Sequence, residues 1–202
     1  MSRNNKPRGE LRIIGGQWRG RRLKFEPQEG LRPTLDRYRE TLFNWLMHHV
    51  EGSRCLDLFA GSGALGLEAL SRGATQVDFV DSHPASCSNI RHHLHTLGSK
   101  NGRVHQAQAA AWLKSQTGNP GSDHGYDLIF LDPPFNQDLL QNTCYLLEYN
   151  EFIQPHTLIY LEAEPQFNRL VLPGNWQVNK HKQSKSAAFF LLQCPTPTKL
   201  TS

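Results

Sequence analysis

Long apolar runs are missing from this chain. No stretch approaches the ~20 consecutive apolar residues that a membrane-crossing helix needs, and mean hydropathy is −0.55. Cysteine is sparse and scattered: Cys55, Cys87, Cys144 and Cys194 show no C-x-x-C spacing. That pattern argues against a disulfide scaffold and fits a reduced, cytoplasmic protein. Residues 1–9 are basic and polar with no apolar segment, so no secretory leader is expected. Repeats, low-complexity tracts and coiled-coil heptads are also lacking, and the chain is read as a monomer. His92, His93 and His95 fall on one predicted helix, with His92 and His95 sharing a face. No cysteine or carboxylate completes a ligand set there, so no metal is expected. What these absences leave, at 202 residues and 38% hydrophobic content, is one α/β domain with a real core and a small appendage.

Acidic residues are scarce in the first fifth of the chain. Residues 1–39 carry eleven Lys/Arg against four Asp/Glu, while the remainder carries eleven against fourteen. A net charge of only +4 therefore hides a basic end, and a polyanionic partner is the natural reading. Beyond residue 9, Leu11 to Gly16 reads as a strand and turn. Gln17 to Phe25 alternates basic and apolar residues, as a β-hairpin with one buried face does. Trp18 beside its arginines offers a surface for stacking on bases. Thr34 or Asp36 can cap a helix running to about Val50, with Leu42, Phe43, Leu46 and Met47 on its buried side.

The glycine-rich stretch Asp57-Leu58-Phe59-Ala60-Gly61-Ser62-Gly63-Ala64-Leu65-Gly66 organises the rest. It reads as a strand end, a tight turn and the start of a helix, with Gly61, Gly63 and Gly66 spaced as G-x-G-x-x-G. Asp81 closes the next strand about 20 residues on, where a carboxylate can take ribose hydroxyls. The loop alone suits either a nicotinamide dinucleotide or S-adenosylmethionine. A second stretch favours the latter: the apolar run Tyr126 to Leu131 ends in Asp132-Pro133-Pro134-Phe135, a corner suited to holding a planar amine for methylation.

From residue 54 onward, strands are expected at 54–59, 76–81, 103–107, 126–131 and 157–162. Helices are expected at 63–72, 84–98, 108–116 and 136–148. This alternation implies a parallel sheet with helices on both faces and a ligand site at the carboxyl ends of its strands. Residues 168–172, 175–181 and 187–193 read as antiparallel strands closing the sheet. Glu68 and Asp78 are read as solvated acids, and Cys87 as a small buried hydrophobe.

These residues together resemble the bacterial RsmD-type family, which methylates the exocyclic N2 of a guanine in small-subunit (16S) ribosomal RNA. The matching runs are Arg12-Ile13-Ile14-Gly15-Gly16 with Trp18-Arg19-Gly20, Leu31-Arg32-Pro33-Thr34, Arg39-Glu40-Thr41-Leu42-Phe43-Asn44, Asp57 to Gly63, and Asp132 to Phe135. They span most of the chain, from Arg12 to about residue 193. The resemblance implies a class I (Rossmann-like) methyltransferase fold, with a mostly parallel seven-stranded sheet and S-adenosylmethionine as methyl donor. It implies rRNA methylation as the activity, with ribosomal RNA as partner, within an assembling small subunit. The division expected is a basic RNA-contacting extension at 1–35, a methyltransferase domain at 36–194 and a frayed tail at 195–202.

Roles follow by position. Asp132 and the Pro133 carbonyl are expected to accept the amine's two N–H groups. Pro133 and Pro134 stiffen the corner without competing donors, and Phe135 stacks on the base. Asp57 is expected to orient the glycine loop or the methionine amine, Phe59, Ala60, Gly61, Ser62 and Gly63 to line the methionine end, Asp81 to take the ribose, and Gln108 with Ala109 to border the adenine. Gln108 stands where many methyltransferases carry an acid, and its amide oxygen can accept the adenine amino group. Ser184-Lys185-Ser186 replaces a glycine turn that is frequent in the family. Arg12, Arg19, Arg21, Arg22, Arg32, Arg37 and Arg39 are the expected RNA contacts, with pairing to Asp36, Glu40 and other acids as the alternative for Arg32, Arg37 and Arg39. The corner would equally serve adenine-N6 or cytosine-N4, and a non-catalytic RNA-binding assembly factor is the reading from another class. An NAD-dependent oxidoreductase lacks hydride-transfer candidates near the corner.

Overall fold

Strand-forming and helix-forming segments alternate along the chain, and the computed structural model assembles them into one seven-stranded sheet flanked by helices. It describes residues 9–25, 36–116, 125–134, 139–150, 152–167, 172–173 and 175–194. A hairpin of β1 (Gly9–Arg12) and β2 (Arg22–Phe25) comes first, followed by α1 (Asp36–Trp45). Then come β3 (Arg54–Asp57), α2 (Ala64–Ser71), β4 (Gln76–Asp81), α3 (Pro84–Leu97), β5 (Gly102–Gln106) and α4 (Ala109–Ser115). The chain continues with β6 (Tyr126–Leu131), α5 (Leu139–Tyr149), β7 (Ile153–Ala163), β8 (Gln177–Gln183) and β9 (Ala188–Gln193).

The sheet order is β5-β4-β3-β6-β7-β9-β8. The first five strands are parallel, and β9 and β8 close the sheet antiparallel. Because β3 is flanked by β4 on one side and β6 on the other, the topology switches there and opens a crevice at the carboxyl ends. Two apolar layers sandwich the sheet. One joins α1, α2 and α3 to the hairpin through Phe43, Leu67, Ile90, Leu11 and Phe25; the other joins α4 and α5 through Leu113, Cys144 and Leu147.

The expected elements agree with these within a few residues, except at α1. That helix ends at Trp45 rather than near Val50, and the chain tightens into turns, leaving Met47 61% exposed rather than buried. The glycine expected before the last strand is replaced by a hydroxyl: Ser184 Oγ accepts N–H bonds from Ser186 (3.2 Å) and Ala187 (3.0 Å), closing the β8–β9 turn. Expected structure at 1–8, 26–35, 168–171 and 195–202 lies outside the described residues.

Two acids read as solvated are buried. Asp78 accepts bonds from His105, Gln76 and Tyr126. Burial alone would raise its pKa, but these donors hold it below the ordinary value. Glu68 is fully buried and takes the N–H groups of Ile14 (2.8 Å) and Gly15 (2.7 Å), with Arg72 Nε at 2.7 Å. Ser71 Oγ adds a bond to the Gly15 carbonyl and accepts the Trp18 N–H. The glycine pair permits this close docking. A Cβ on Gly16, which has φ +73°, would lie 1.8 Å from the Ser71 carbonyl oxygen. Trp18 packs against the core and is half-buried, so its ring helps dock the hairpin.

Removing the Glu68 carboxylate leaves Arg72 and two backbone donors without their acceptor. Glu68→Ala is expected to cost about 3 kcal/mol and to speed proteolysis within residues 9–25. Chemical denaturation with limited proteolysis checks this; unaltered stability and cleavage would refute it.

Candidate cofactor and substrate site

The carboxyl ends of β3, β4 and β6 converge on the crevice. Asp57 ends β3 and is buried; its Oδ2 accepts the Gly66 N–H at 3.0 Å, spanning the glycine loop to hold the first turn of α2. The loop bends through left-handed glycines, Gly61 (φ +52°) and Gly63 (φ +79°), where a Cβ would be strained. Gly66 is needed for a different reason: a Cβ there would lie 2.2 Å from the Phe79 ring, so helix and strand could not approach. The bend places Gly61 N–H on Asp81 Oδ2 at 2.7 Å, while Asp81 Oδ1 takes the His83 N–H at 2.8 Å. Asp81 thus sits at the rim as a fixed, half-buried carboxylate.

Ala60 and Gly63 are buried and Phe59 half-buried along this loop, with Ser62 9% exposed. Gln108 is the exposed N-cap of α4; its side chain makes no capping bond, and Ala109 behind it is buried. The Asp81 carbonyl accepts the Ala107 N–H, bringing the Gln108 turn alongside the Asp81 end of β4. Asp132 follows β6 and is half-buried, Pro133 is buried and Pro134 exposed. Phe135 lies outside the described residues. The structure therefore brings Asp57, Phe59 to Gly63, Asp81, Gln108, Ala109 and the Asp132 corner to one edge of the sheet.

The electrostatics are those of crowded acids. Burial pushes the Asp57 carboxyl up to about 7, the Gly66 N–H works against this, and the charges of Asp132 and Asp81 add to it. Residues that the sequence reading missed sit next to the corner. Leu131 pairs with Leu161, which places Glu162 of β7 beside Asp132. Glu162 is buried, and its Oε2 takes the Tyr160 hydroxyl at 3.4 Å. Burial, then Glu162 and Asp132, hold the Tyr160 phenol well above its ordinary value. The only sequence signal for Glu162 is an acid at the end of an apolar strand.

The expected RNA contacts divide. Arg12, Arg19, Arg21, Arg22 and Arg37 are exposed, and Arg22 pairs with Glu10. Arg39 is not a surface cation. It is 1% exposed, bonded to Asp36 (2.6 Å) and the Arg12 carbonyl (2.8 Å), with Glu68 at 4.0 Å, because the buried acid needs a counter-charge. Arg32 lies outside the described residues. The turn carrying Arg19 and Arg21 docks on the last residues of α2, at the opposite end of that helix, about 12 Å long, from the glycine loop. His93, from the histidine cluster, points inward to the Lys24 carbonyl at 3.1 Å. Among the described residues no group of His, Cys, Asp or Glu side chains is arranged to hold a metal ion, and no helix is long and apolar enough to cross a membrane.

A glycine loop with a following strand-end acid, an Asp-Pro-Pro corner and this strand order define a class I methyltransferase. The family model described as Conserved hypothetical protein 95 matches residues 11–193. The chain is 43% identical over 190 residues to ribosomal RNA small subunit methyltransferase D of Escherichia coli K12, covering 94% of this chain and 93% of that one. The counterpart from Haemophilus influenzae is 42% identical over 188 residues, covering 92% and 95%. A solved structure of the E. coli putative methyltransferase yhhF superposes with a TM-score of 0.80 at 39% identity, over 92% of this chain and 98% of that one. The Thermus thermophilus 16S rRNA methyltransferase RsmC, solved with AdoMet and guanosine, shares the fold (TM-score 0.69, 21% identity, 94% of this chain and 50% of that one). The chain belongs to the ribosomal RNA small subunit methyltransferase D family.

The raised Asp57 value fixes a sign. It lies above the ordinary 3.8, so the folded chain holds this proton more tightly than the unfolded chain. The resulting stability is present at low pH and is lost as pH rises from about 4 to about 7. Asp57→Asn keeps an acceptor for Gly66 and is expected to be more stable than the parent at pH 8 than at pH 5, relative to each, by about 1 kcal/mol or more. Denaturation curves of the ligand-free proteins at both pH values check this; parallel pH profiles would contradict it.

Proposed function

We propose that this chain transfers the methyl group of S-adenosylmethionine to the exocyclic N2 of a guanine in small-subunit (16S) ribosomal RNA. The observation that carries the reading is the Asp132-Pro133-Pro134 corner standing beside β3, whose own end opens the glycine loop. The names of the relatives support the substrate class.

The residues present fit the cofactor. The left-handed Gly61 and Gly63 clear the loop of side chains, and the carboxylates that raise the Asp57 pKa favour a cation among them. Asp57 would fix the loop, Phe59 to Gly63 line the methionine end, Asp81 receive the ribose hydroxyls, and Gln108 with Ala109 border the adenine. Bound S-adenosylmethionine supplies an electrophilic methyl group on a sulfonium.

Guanine's amino lone pair is delocalised into its ring, so the nitrogen is a poor nucleophile. Asp132 Oδ and the Pro133 carbonyl accept its two N–H bonds and leave the lone pair aimed along the line of attack. This is positioning and electrostatic preorganisation. The prolines contribute no N–H that would compete for those acceptors, and Phe135 stacks on the base. Guanine also presents N1–H next to its amino group, and Glu162 is the acceptor assigned to it. After transfer the nitrogen is strongly acidic and loses its proton without a dedicated strong base.

Residues 1–35 form an RNA-contacting extension to a catalytic unit at 36–194, with 195–202 as a tail. Arg12, Arg19, Arg21, Arg22 and Arg37 meet phosphates, and the target base is unstacked to enter. The protein acts as a cytoplasmic monomer on an assembling small subunit.

The test is transfer from labelled S-adenosylmethionine to small-subunit particles from cells lacking this protein, followed by nucleoside analysis. One new N2-methylguanosine is expected. Asp132→Ala is expected to lower the rate by about a hundredfold or more while RNA binding persists. No incorporation by the parent protein would favour an assembly factor, and full activity of the variant would remove Asp132 from the chemistry.

A further inference from the structure

The hairpin arginines lie at the far end of α2 from the glycine loop, yet a base can enter the crevice only if its flanking phosphates are held at the crevice rim. A second basic surface meets that need. From Pro165 to Ser202 the chain contains five Lys/Arg and no Asp or Glu, whereas residues 40–164 contain six against fourteen. Three of those five, Lys180, Lys182 and Lys185, lie on β8 and the β8–β9 turn, and all are exposed.

Their position follows from register. Leu131 pairs with Leu161, Ala163 with Ala188 and Gln183 with Ala188, so the β8–β9 turn stands at the same end of the sheet as Asp132. Lys182 and Lys180 pair with Phe189 and Leu191, whose side chains belong to the core layer under α1. Lys182 Nζ reaches Thr41 Oγ1 of α1 at 3.2 Å. Tyr38, at the start of α1, packs in a tilted ring pair on Phe189 with centroids 4.5 Å apart, and its hydroxyl takes a bond from Arg37 at 2.8 Å. A hydrogen bond to Ser184 lowers the Tyr38 pKa against burial, and the nearby charges of Arg37 and Lys182 add to the lowering. Two cations, Arg37 and Lys182, and the hydroxyls of Tyr38, Thr41 and Ser184 thus meet at the rim. Three strand spacings separate β6 from β8, about 14 Å, a span that a few nucleotides of single strand bridge.

We propose that Lys180, Lys182 and Lys185, with Arg37, form a second phosphate-binding surface that grips the RNA strand flanking the target nucleotide. Edge lysines also guard a sheet against pairing with another chain. That role does not account for Lys185 in the turn, for Arg37 on another element, or for an acid-free segment behind them. The proposal rests on the reading of the substrate as RNA, and it commits to backbone phosphate rather than to a protein surface.

The test compares the full chain with the triple variant Lys180→Gln, Lys182→Gln, Lys185→Gln, in binding to naked 16S RNA and to small-subunit particles across a salt series. The variant is expected to bind both about tenfold or more weakly near 0.1 M salt. Its plot of log affinity against log salt should be shallower by about 2. Its melting temperature and its affinity for S-adenosylmethionine should be unaltered, and on particles KM should rise while kcat holds. Equal affinity and equal slope for both RNA forms would overturn the proposal. So would weaker binding to particles with binding to naked RNA unaltered, since the surface would then take a protein. If the parent protein transfers no methyl group, the proposed activity fails, and the salt slopes still decide this surface.

Discussion

One buried carboxylate ties three parts of the chain together. Glu68 stands at the middle of α2, accepts two backbone N–H groups from the residue 14–15 turn, and is flanked by Arg72 on its own helix and Arg39 on α1. A buried carboxylate is costly unless its oxygens are used, and here the partners come from three separate stretches of the chain: the 14–15 turn, Arg39 and Arg72. Arg39 extends the arrangement by capping the Arg12 carbonyl, so the hairpin is fastened at both its strand and its turn. The hairpin therefore belongs to the same apolar layer as α1, α2 and α3. The helix that it grips is the one whose first turn carries the glycine loop. A fixed α2 fixes the loop.

The cofactor end of the site works by a second use of acids. Asp57 and Asp81 each take a backbone N–H from the segment they shape, Gly66 and Gly61 respectively. The carboxylates thus build the loop before they meet any ligand. Burial above all, and then the charges of Asp132 and Asp81, make ionisation of Asp57 expensive, and a cationic ligand offsets the part that comes from those charges. The same groups that define the backbone define the charge preference.

Local rules carried much of this. Period and punctuation located the parallel strands and their helices, because each depends on neighbours within a turn or a strand. The glycine loop and the Asp-Pro-Pro corner were legible for the same reason. What escaped depends on distant partners. Glu68 and Asp78 looked like surface acids since nothing near them in sequence reveals that Ile14, Gly15, His105 or Tyr126 will arrive. Arg39 looked like an RNA contact for the complementary reason. Met47 fits a helical stripe that ends one turn too soon. The Arg-Ile-Ile-Gly-Gly run shows the limit most clearly: its arginine suggested RNA, while its glycines are explained by contact with Ser71 and Arg72.

The charge map then constrains how a polyanion can use the site. The crevice centre is acidic, with Asp57, Asp81, Asp132 and Glu162 at adjacent strand ends, and the basic residues stand outside it on the hairpin, α1 and β8. Phosphates are repelled from the centre and attracted to the periphery, whereas a neutral base edge rich in N–H donors is welcome among carboxylates. A nucleotide still stacked in a duplex keeps its base edge and its flanking phosphates too close together to satisfy both regions. One swung out of the stack separates them, with base in the crevice and backbone on the rim. On this reading the charge layout itself selects an extruded donor-edged base.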